Sequence, residues 1–174
     1  MHLSDVIITT ERLKLVPVSK EYAEMIFKEF TPELTRYMFP KPAKTIDDTL
    51  AFIVMAQEQR EKGEACNVSI LDAKTGELLG GGGINNLNTN TPALGIWIKK
   101  GAHGHTYGRE AVKGLKAWAE KNLNYDYLIY PVDKKNIPSR KIAESLGGIV
   151  KKEYKKINQS GKELDMVEYW IERT

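Results

Sequence analysis

The stretch ALGIWIKKGAHGHTYGREA, from Ala93 to Ala111, constrains this chain more than any other. Leu94, Ile96 and Ile98 alternate along a short strand, with Trp97 on its opposite face. Lys99 and Lys100 end the apolar run, and Gly101, Gly104 and Gly108 follow. Ala111, Leu115, Trp118, Ala119 and Leu123 then recur on one stripe of an amphipathic helix. The order is strand, basic glycine-rich loop, helix. A helix start presents N–H groups without intrahelical partners and the positive end of the dipole. Glycines let an anion come close to that backbone, so the loop is a candidate seat for a phosphate or pyrophosphate. Three glycines before a helix also serve simply to turn the chain, and the loop alone does not separate the two uses.

Two familiar anion loops are set aside. A P-loop needs Lys followed by Ser or Thr at the helix start, whereas Arg109 and Glu110 follow Gly108. A dinucleotide-binding fold places its glycines in an early βαβ unit, but here they come past the middle, after a hairpin. The chain has 174 residues, 41% of them hydrophobic, which predicts one domain over 1–174 with a real core. A net charge of +3 argues for no nucleic-acid partner, and the absence of a long apolar run argues for no membrane. The start MHLSDVII lacks signal-peptide form, and a lone Cys66 suits a reducing, cytoplasmic location. Cys66 precedes Val68 and Ile70 in a strand pattern and is read as a packing residue. His2, His103 and His105 have no metal-ligand spacing, so no metal is expected.

Along the chain, Thr10 to Val18 reads as a first strand through Leu13 and Leu15. Ser19 is placed to cap a helix from Lys20 to about Phe30, and Thr45 or Asp47 to cap a second to about Lys62. Between them TPELTRYMFPKP carries three prolines, which break any long periodic element. Cys66 to Leu71 and Leu78 to Ile84 are strands joined by a turn ending at Gly76. The run Gly80 to Gly83 predicts a close approach or a bulge in the second of them. After the central loop and helix, Tyr127 to Val132 is a short strand. A helix follows, marked by Asn136 and Pro138 at its start and Gly147-Gly148 at its end. Ile149 to Ile157 and Leu164 to Ile171 make a last hairpin around Asn158 to Gly161. The expected architecture is α/β (α+β): a mixed, mostly antiparallel sheet of about seven strands with about four helices on its faces.

These segments, in this order, make nearly the whole chain resemble the GCN5-related N-acetyltransferases, in particular the branch acting on ribosomal-protein N-termini, alanine among them. The resemblance rests on TERLKLVPVS, on LLGGGGI, on the central loop and on VDKKNIPSRKIAESLGG. The family's Arg/Gln-x-x-Gly-x-Gly/Ala aligns with His103-Gly104-His105-Thr106-Tyr107-Gly108, where His103 and Thr106 depart from it. The resemblance implies the acyl-CoA N-acyltransferase fold, its sheet splayed between the fourth and fifth strands, and direct acetyl transfer from acetyl-CoA to a primary amine. It implies that coenzyme A lies along Ile96, Trp97 and Ile98 and over the loop from His103 to Arg109. Cations at Lys99, Lys100 and Arg109 fit the same phosphates, and an N–H at Ile96 or Trp97 fits a developing oxyanion. By resemblance Ser139 stands near the departing sulfur and Asn136 near the cofactor, while spacing alone reads them as a first-turn serine and a helix cap. Tyr130 is a further proton donor candidate. Glu33, Arg36 and Tyr37, with Phe39, align with the acceptor side, and Glu33 is a candidate base.

Relatives carry an acid where this chain has Ala93. An α-amine, with a pKa of about 7.7–8.0, needs less help from a base than a lysine near 10.4. The missing acid therefore favours a protein N-terminal α-amine as acceptor. A small-molecule amine acceptor, a catalytically weak acyl-CoA sensor and a nucleotide-phosphate enzyme are the competing readings. A monomer or homodimer is expected.

Overall fold

The computed structural model describes residues 3–174. Eight strands form one sheet: β1 (Ile8–Thr9), β2 (Leu13–Pro17), β3 (Ala65–Asp72), β4 (Leu78–Asn85), β5 (Ala93–Ile98), β6 (Tyr127–Asp133), β7 (Ile149–Ile157) and β8 (Glu163–Glu172). Their spatial order is β1-β2-β3-β4-β5-β6-β8-β7. Four helices complete the fold: α1 (Ala23–Glu29), α2 (Ile46–Glu61), α3 (Tyr107–Asn122) and α4 (Ile137–Ser145). The strand beyond the expected seven is β1, whose two residues pair with Leu15 and Lys14 and are too few to show alternation. The first helix also starts differently. Lys20–Tyr22 is a 3₁₀ turn, and the Ser19 hydroxyl caps nothing; its carbonyl accepts the Tyr22 N–H. At the second helix the capping residue is Thr45, whose N–H, with that of Lys44, is held by the Asp48 carboxylate.

The faces of the sheet follow from alternation. Leu13, Leu15, Ile70, Leu94 and Leu128 point to the side covered by α3, where they meet Ala111, Val112 and Leu115. Leu71, Leu78 and Trp97 point to the other side, against Ile26 of α1 and Ile53 of α2. The glycine run in β4 lies opposite β5, Gly81 facing Trp97 and Gly82 facing Ile96. A Cβ on Gly81 would sit 2.6 Å from the Trp97 Nε1, and one on Gly80 2.1 Å from the Trp97 carbonyl oxygen. So the glycines serve the close approach: β5 and its indole lie where any side chain on β4 would be.

All neighbouring strands are antiparallel except β5 and β6, which run parallel and share one paired position, Ala93 with Ile129. The Ile129 N–H donates to the Pro92 carbonyl at 2.9 Å. Two residues on, the next β6 donor facing β5 would be residue 131, and that residue is Pro131. Proline has no N–H to offer there, and beyond this position the two strands form no further pair. This is the expected splay, here between β5 and β6.

Candidate active site

The bare edge of β5 has a defined chemistry. The Lys99 N–H donates to the Leu79 carbonyl on β4 at 2.8 Å. Successive peptide groups alternate sides, so Gly95 and Trp97 also face β4, while Leu94, Ile96 and Ile98 face the gap. Of the two residues expected to offer an N–H to an oxyanion, the register leaves Ile96. The Trp97 amide is committed to β4, and its side chain lies on the opposite face with Phe30, ring centroids 5.2 Å apart.

The loop after β5 closes back on the strand. The His103 ring Nε2 sits 2.7 Å from the Ile98 carbonyl, so this side chain ties down the strand end instead of projecting from the loop. Gly104 has φ +84 and Thr106 φ +60. Thr106 thus adopts the left-handed conformation that a glycine takes at no steric cost, and α3 begins directly after it. Among the described residues the N–H groups from Gly104 to Arg109 have no acceptor in the protein. Those amides and the helix dipole fit an anionic group such as a pyrophosphate. Gly108 is buried, and a Cβ there would meet Ile142 of α4 at 3.0 Å. Its role is close packing of the helix start, whereas Gly104 supplies the turn.

Of the three expected cations around the loop, Lys99 and Lys100 are engaged by carboxylates and, among the described residues, Arg109 is not. Lys99 is buried and paired with Glu77, and Lys100 pairs with Glu33 at 2.9 Å. Arg109 is exposed in the first turn of α3, and Arg12 arrives from the segment before β2. Arg12 Nε contacts Glu110 Oε2 at 2.7 Å, its Nη2 donates to Thr106 Oγ at 3.3 Å, and its guanidinium lies 4.7 Å from the Tyr107 ring centroid. His105 stacks on Tyr107 at 5.4 Å. The Glu110 carboxylate also takes the Thr10 hydroxyl at 2.6 Å and the Arg12 N–H at 2.8 Å. Burial pushes the Glu110 carboxyl up, but the Thr10 hydroxyl and the Arg12 amide and guanidinium outweigh it and hold the pKa below the ordinary value. This anchor between chain start and loop escaped the sequence reading. The Thr10-x-Arg12 and Glu110 positions are visible there, but nothing local joins them.

Across the gap, Asn136 caps α4. Its Oδ1 accepts the Ser139 N–H at 3.4 Å, with Pro138 in the first turn. The Ser139 Oγ lies 2.7 Å from the Tyr130 hydroxyl on β6. Tyr130 is buried, and burial pushes its phenol up to about 12, with the Ser139 contact pulling weakly the other way. The phenol is therefore neutral at physiological pH, and it shares a hydrogen bond with the Ser139 hydroxyl in which either oxygen can donate. The two candidates for proton donor, weighed separately from the sequence, form one pair.

On the opposite face, the turn between α1 and α2 packs on the tip of the β7–β8 hairpin. Asn158 is buried there; its Nδ2 donates to the Met38 carbonyl at 3.1 Å and its Oδ1 accepts the N–H groups of Ser160 and Lys162. The Gln159 N–H donates to the Phe39 carbonyl at 2.9 Å. Tyr37 carries Arg36 and Lys162 on its ring, at 5.2 and 4.9 Å. Glu33 is exposed and held by Lys100 on the rim, beyond the end of β5. Cys66 is buried, and burial pushes its thiol up to about 11, consistent with a packing role. His2 lies outside the described residues. Among those described, no group of three or more acidic, histidine or cysteine side chains is placed to hold a metal, and no helix is long and apolar enough to cross a membrane.

The same fold occurs in known proteins. Residues 12–149 match the family described as Acetyltransferase (GNAT) domain. The chain is 28% identical to the uncharacterized N-acetyltransferase p20 of Bacillus licheniformis over 140 residues, 79% of each protein. The fold superposes with TM-score 0.82 on the structure of a proposed ribosomal-protein-serine acetyltransferase from Vibrio cholerae, at 21% identity over 98% of this chain and 99% of that one. It superposes with TM-score 0.80 on spermidine N-acetyltransferase from Vibrio cholerae, solved with CoA and spermine, at 15% identity over 94% and 96%. With the splayed sheet, the open amides of its loop and a match spanning most of its length, this chain belongs to the GNAT acetyltransferase family and is an acetyl-CoA-dependent N-acetyltransferase.

Proposed function

We propose that this enzyme acetylates peptide N-terminal α-amines, with the β5–β6 gap as its reaction centre. The observation that carries the reading is the gap itself: Pro131 ends the ladder, and Ile96 presents its N–H to the open side. Acetyl-CoA, when bound, supplies an activated acetyl thioester. The amides from Gly104 to Arg109 hold its diphosphate, with Arg109 adding charge. The bare edge of β5 pairs with the peptide-like arm by strand addition. With acetyl-CoA bound, the Ile96 N–H would receive negative charge on the carbonyl oxygen as the C–N bond forms and the C–S bond breaks. The amine's proton would pass to solvent, and the Ser139 hydroxyl, backed by neutral Tyr130, would give a proton to the departing sulfur and regain one from solvent. Asn136 orients Ser139 through its backbone N–H. The amine arrives from the face of Trp97, past Arg36 and Tyr37, with Glu33 on the rim.

Ala93 stands at the closing point of the gap, so β5 offers no carboxylate there. An α-amine is partly unprotonated near neutrality and requires no strong fixed base, unlike a lysine side chain. The test is acetyl-CoA turnover with peptides carrying a free or blocked N-terminus, followed by thiol release and by locating the acetyl group in the product. Acetylation at the free α-amine is expected, with kcat/KM rising along the titration of the peptide's own amine. Modification of lysine side chains in the N-blocked peptide at an equal rate would refute the α-amine assignment.

A further inference from the structure

We infer that the acceptor cleft selects peptides whose first residues carry carboxylates. The inference rests on the acetyl-transfer reading above and narrows its acceptor. A cleft of about 550 Å³ opens between the end of α1, the proline-rich turn and the tip of the β7–β8 hairpin. Phe27 and Phe30 line its apolar part, and Phe30 packs edge-on against Trp97, which links the cleft to β5 beside the gap. Its charged lining residues are Lys41 and Lys44, with no acid among them. Neither lysine has an ion-pair partner among the described residues.

The surrounding segments keep the same sign. Arg36 and Lys162 lie over the Tyr37 ring, and Lys156 lies 4.1 Å from the Phe39 ring centroid; none is paired with a carboxylate. Most acids of these segments are already engaged. Glu33 holds Lys100, Glu163 holds Lys155 at 3.2 Å, and Asp48 accepts the Lys44 and Thr45 N–H groups. Asp47, exposed in the first turn of α2, and Glu29, at the end of α1, are the exceptions, and neither lines the cleft. Concave walls of one sign focus their field on the approaching ligand, and a volume of this size takes several residues of an extended peptide. A polyamine would meet like charge on the wall that carries Lys41 and Lys44. A peptide with its amine at the gap and acidic side chains along the cleft would meet Lys41 and Lys44. The Asn158 clamp holds turn and hairpin together, so the walls are in place before the peptide arrives.

The experiment compares three pentapeptides with the same first residue and acidic, neutral or basic residues at the next three positions, alongside spermidine and free glutamate. Thiol release from acetyl-CoA is followed for each. Two cleft lysines acting on two or three carboxylates predict kcat/KM about tenfold higher for the acidic than for the neutral peptide. The preference should shrink at about 0.5 M salt, where charges separated by more than a few ångströms are screened. The basic peptide and spermidine should be the poorest acceptors, and free glutamate should fall below the acidic peptide because it leaves the cleft empty. Lys41→Glu/Lys44→Glu, two exposed positions, should reverse the order of the acidic and basic peptides, with a thermal melt confirming the fold. Equal or reversed ranking of the peptides by the unsubstituted enzyme, or a preference for glutamate or spermidine, overturns the inference while leaving acetyl transfer intact. Absence of turnover with every acceptor overturns the acetyl-transfer reading and this inference with it.

Discussion

Replacing Ser139 by Ala removes one hydroxyl and strands another. The Tyr130 hydroxyl is buried, and Ser139 Oγ, at 2.7 Å, is its partner. A buried hydroxyl left unpaired costs about 1–3 kcal/mol. For a domain of this size each kcal/mol moves Tm by about 2–4 °C, so Ser139→Ala should melt about 2–12 °C lower. The cap on α4 contributes nothing to this loss, because Asn136 Oδ1 accepts the backbone N–H that alanine keeps. If the hydroxyl also delivers a proton to the leaving thiolate, kcat falls as well. General-acid help spans about 10²–10⁴-fold, and a thiol with a pKa of about 8.5 is already a fair leaving group, so a loss of about 10- to 100-fold is expected. The acetyl-CoA KM should change little. The double variant Ser139→Ala/Tyr130→Phe separates the two roles. With both hydroxyls gone no polar group is stranded, so most of the lost Tm should return while kcat stays low. Thermal melts and steady-state thiol release on wild type, both single variants and the double variant decide the matter. Recovery of kcat together with Tm would refute the proton-delivery role and leave Ser139 as a structural partner of Tyr130.

Tyr130 also sets an alkaline limit. Its pKa rises from 10.0 unfolded to about 12 folded, so between those values the unfolded chain has lost a proton that the folded chain keeps, and stability falls as pH rises. Two units correspond to about 2–3 kcal/mol, and the pH 10–12 melts of Tyr130→Phe should decline less steeply than those of wild type. Thr106→Gly should raise Tm, because a β-branched residue at φ +60 carries about 1–2 kcal/mol of strain that glycine lacks; a fall in Tm would mean that the Thr106 contact with Arg12 outweighs the strain. Glu110→Gln should raise the acetyl-CoA KM several-fold by loosening the Arg12 anchor beside the loop, as read by KM and by equilibrium binding of CoA. Because the folded Glu110 pKa lies below 4.5, its contribution is present above that pH and lost as the pH falls through the folded value. The gap in Tm between wild type and Glu110→Gln should therefore close in acid.

The strand, loop and helix around residues 93–111 were legible because each has a local signature: alternation of two, glycines, then a stripe of period 3.6. What stayed hidden depends on partners far along the chain. Alternation over Leu94 to Ile98 identifies a strand but does not say which edge is bare, so Ile96 and Trp97 looked equivalent. Pairing decides it: Lys99 N–H on Leu79 turns Trp97 toward β4 and leaves Ile96 facing outward. Likewise Lys99, Lys100 and His103 look like phosphate ligands beside a glycine loop, yet Glu77, Glu33 and the Ile98 carbonyl claim them. Arg12, absent from any loop motif, reaches Thr106 from the chain start. The gap itself has a sequence mark in Pro131, but the mark acquires meaning only when β6 lies parallel to β5 in the register that sets Ala93 beside Ile129. In that register Pro131 has no N–H for the Leu94 carbonyl, no further β5–β6 pair forms beyond Ala93 and Ile129, and Ile96 N–H is left on the open side near the face where Tyr130 and Ser139 meet.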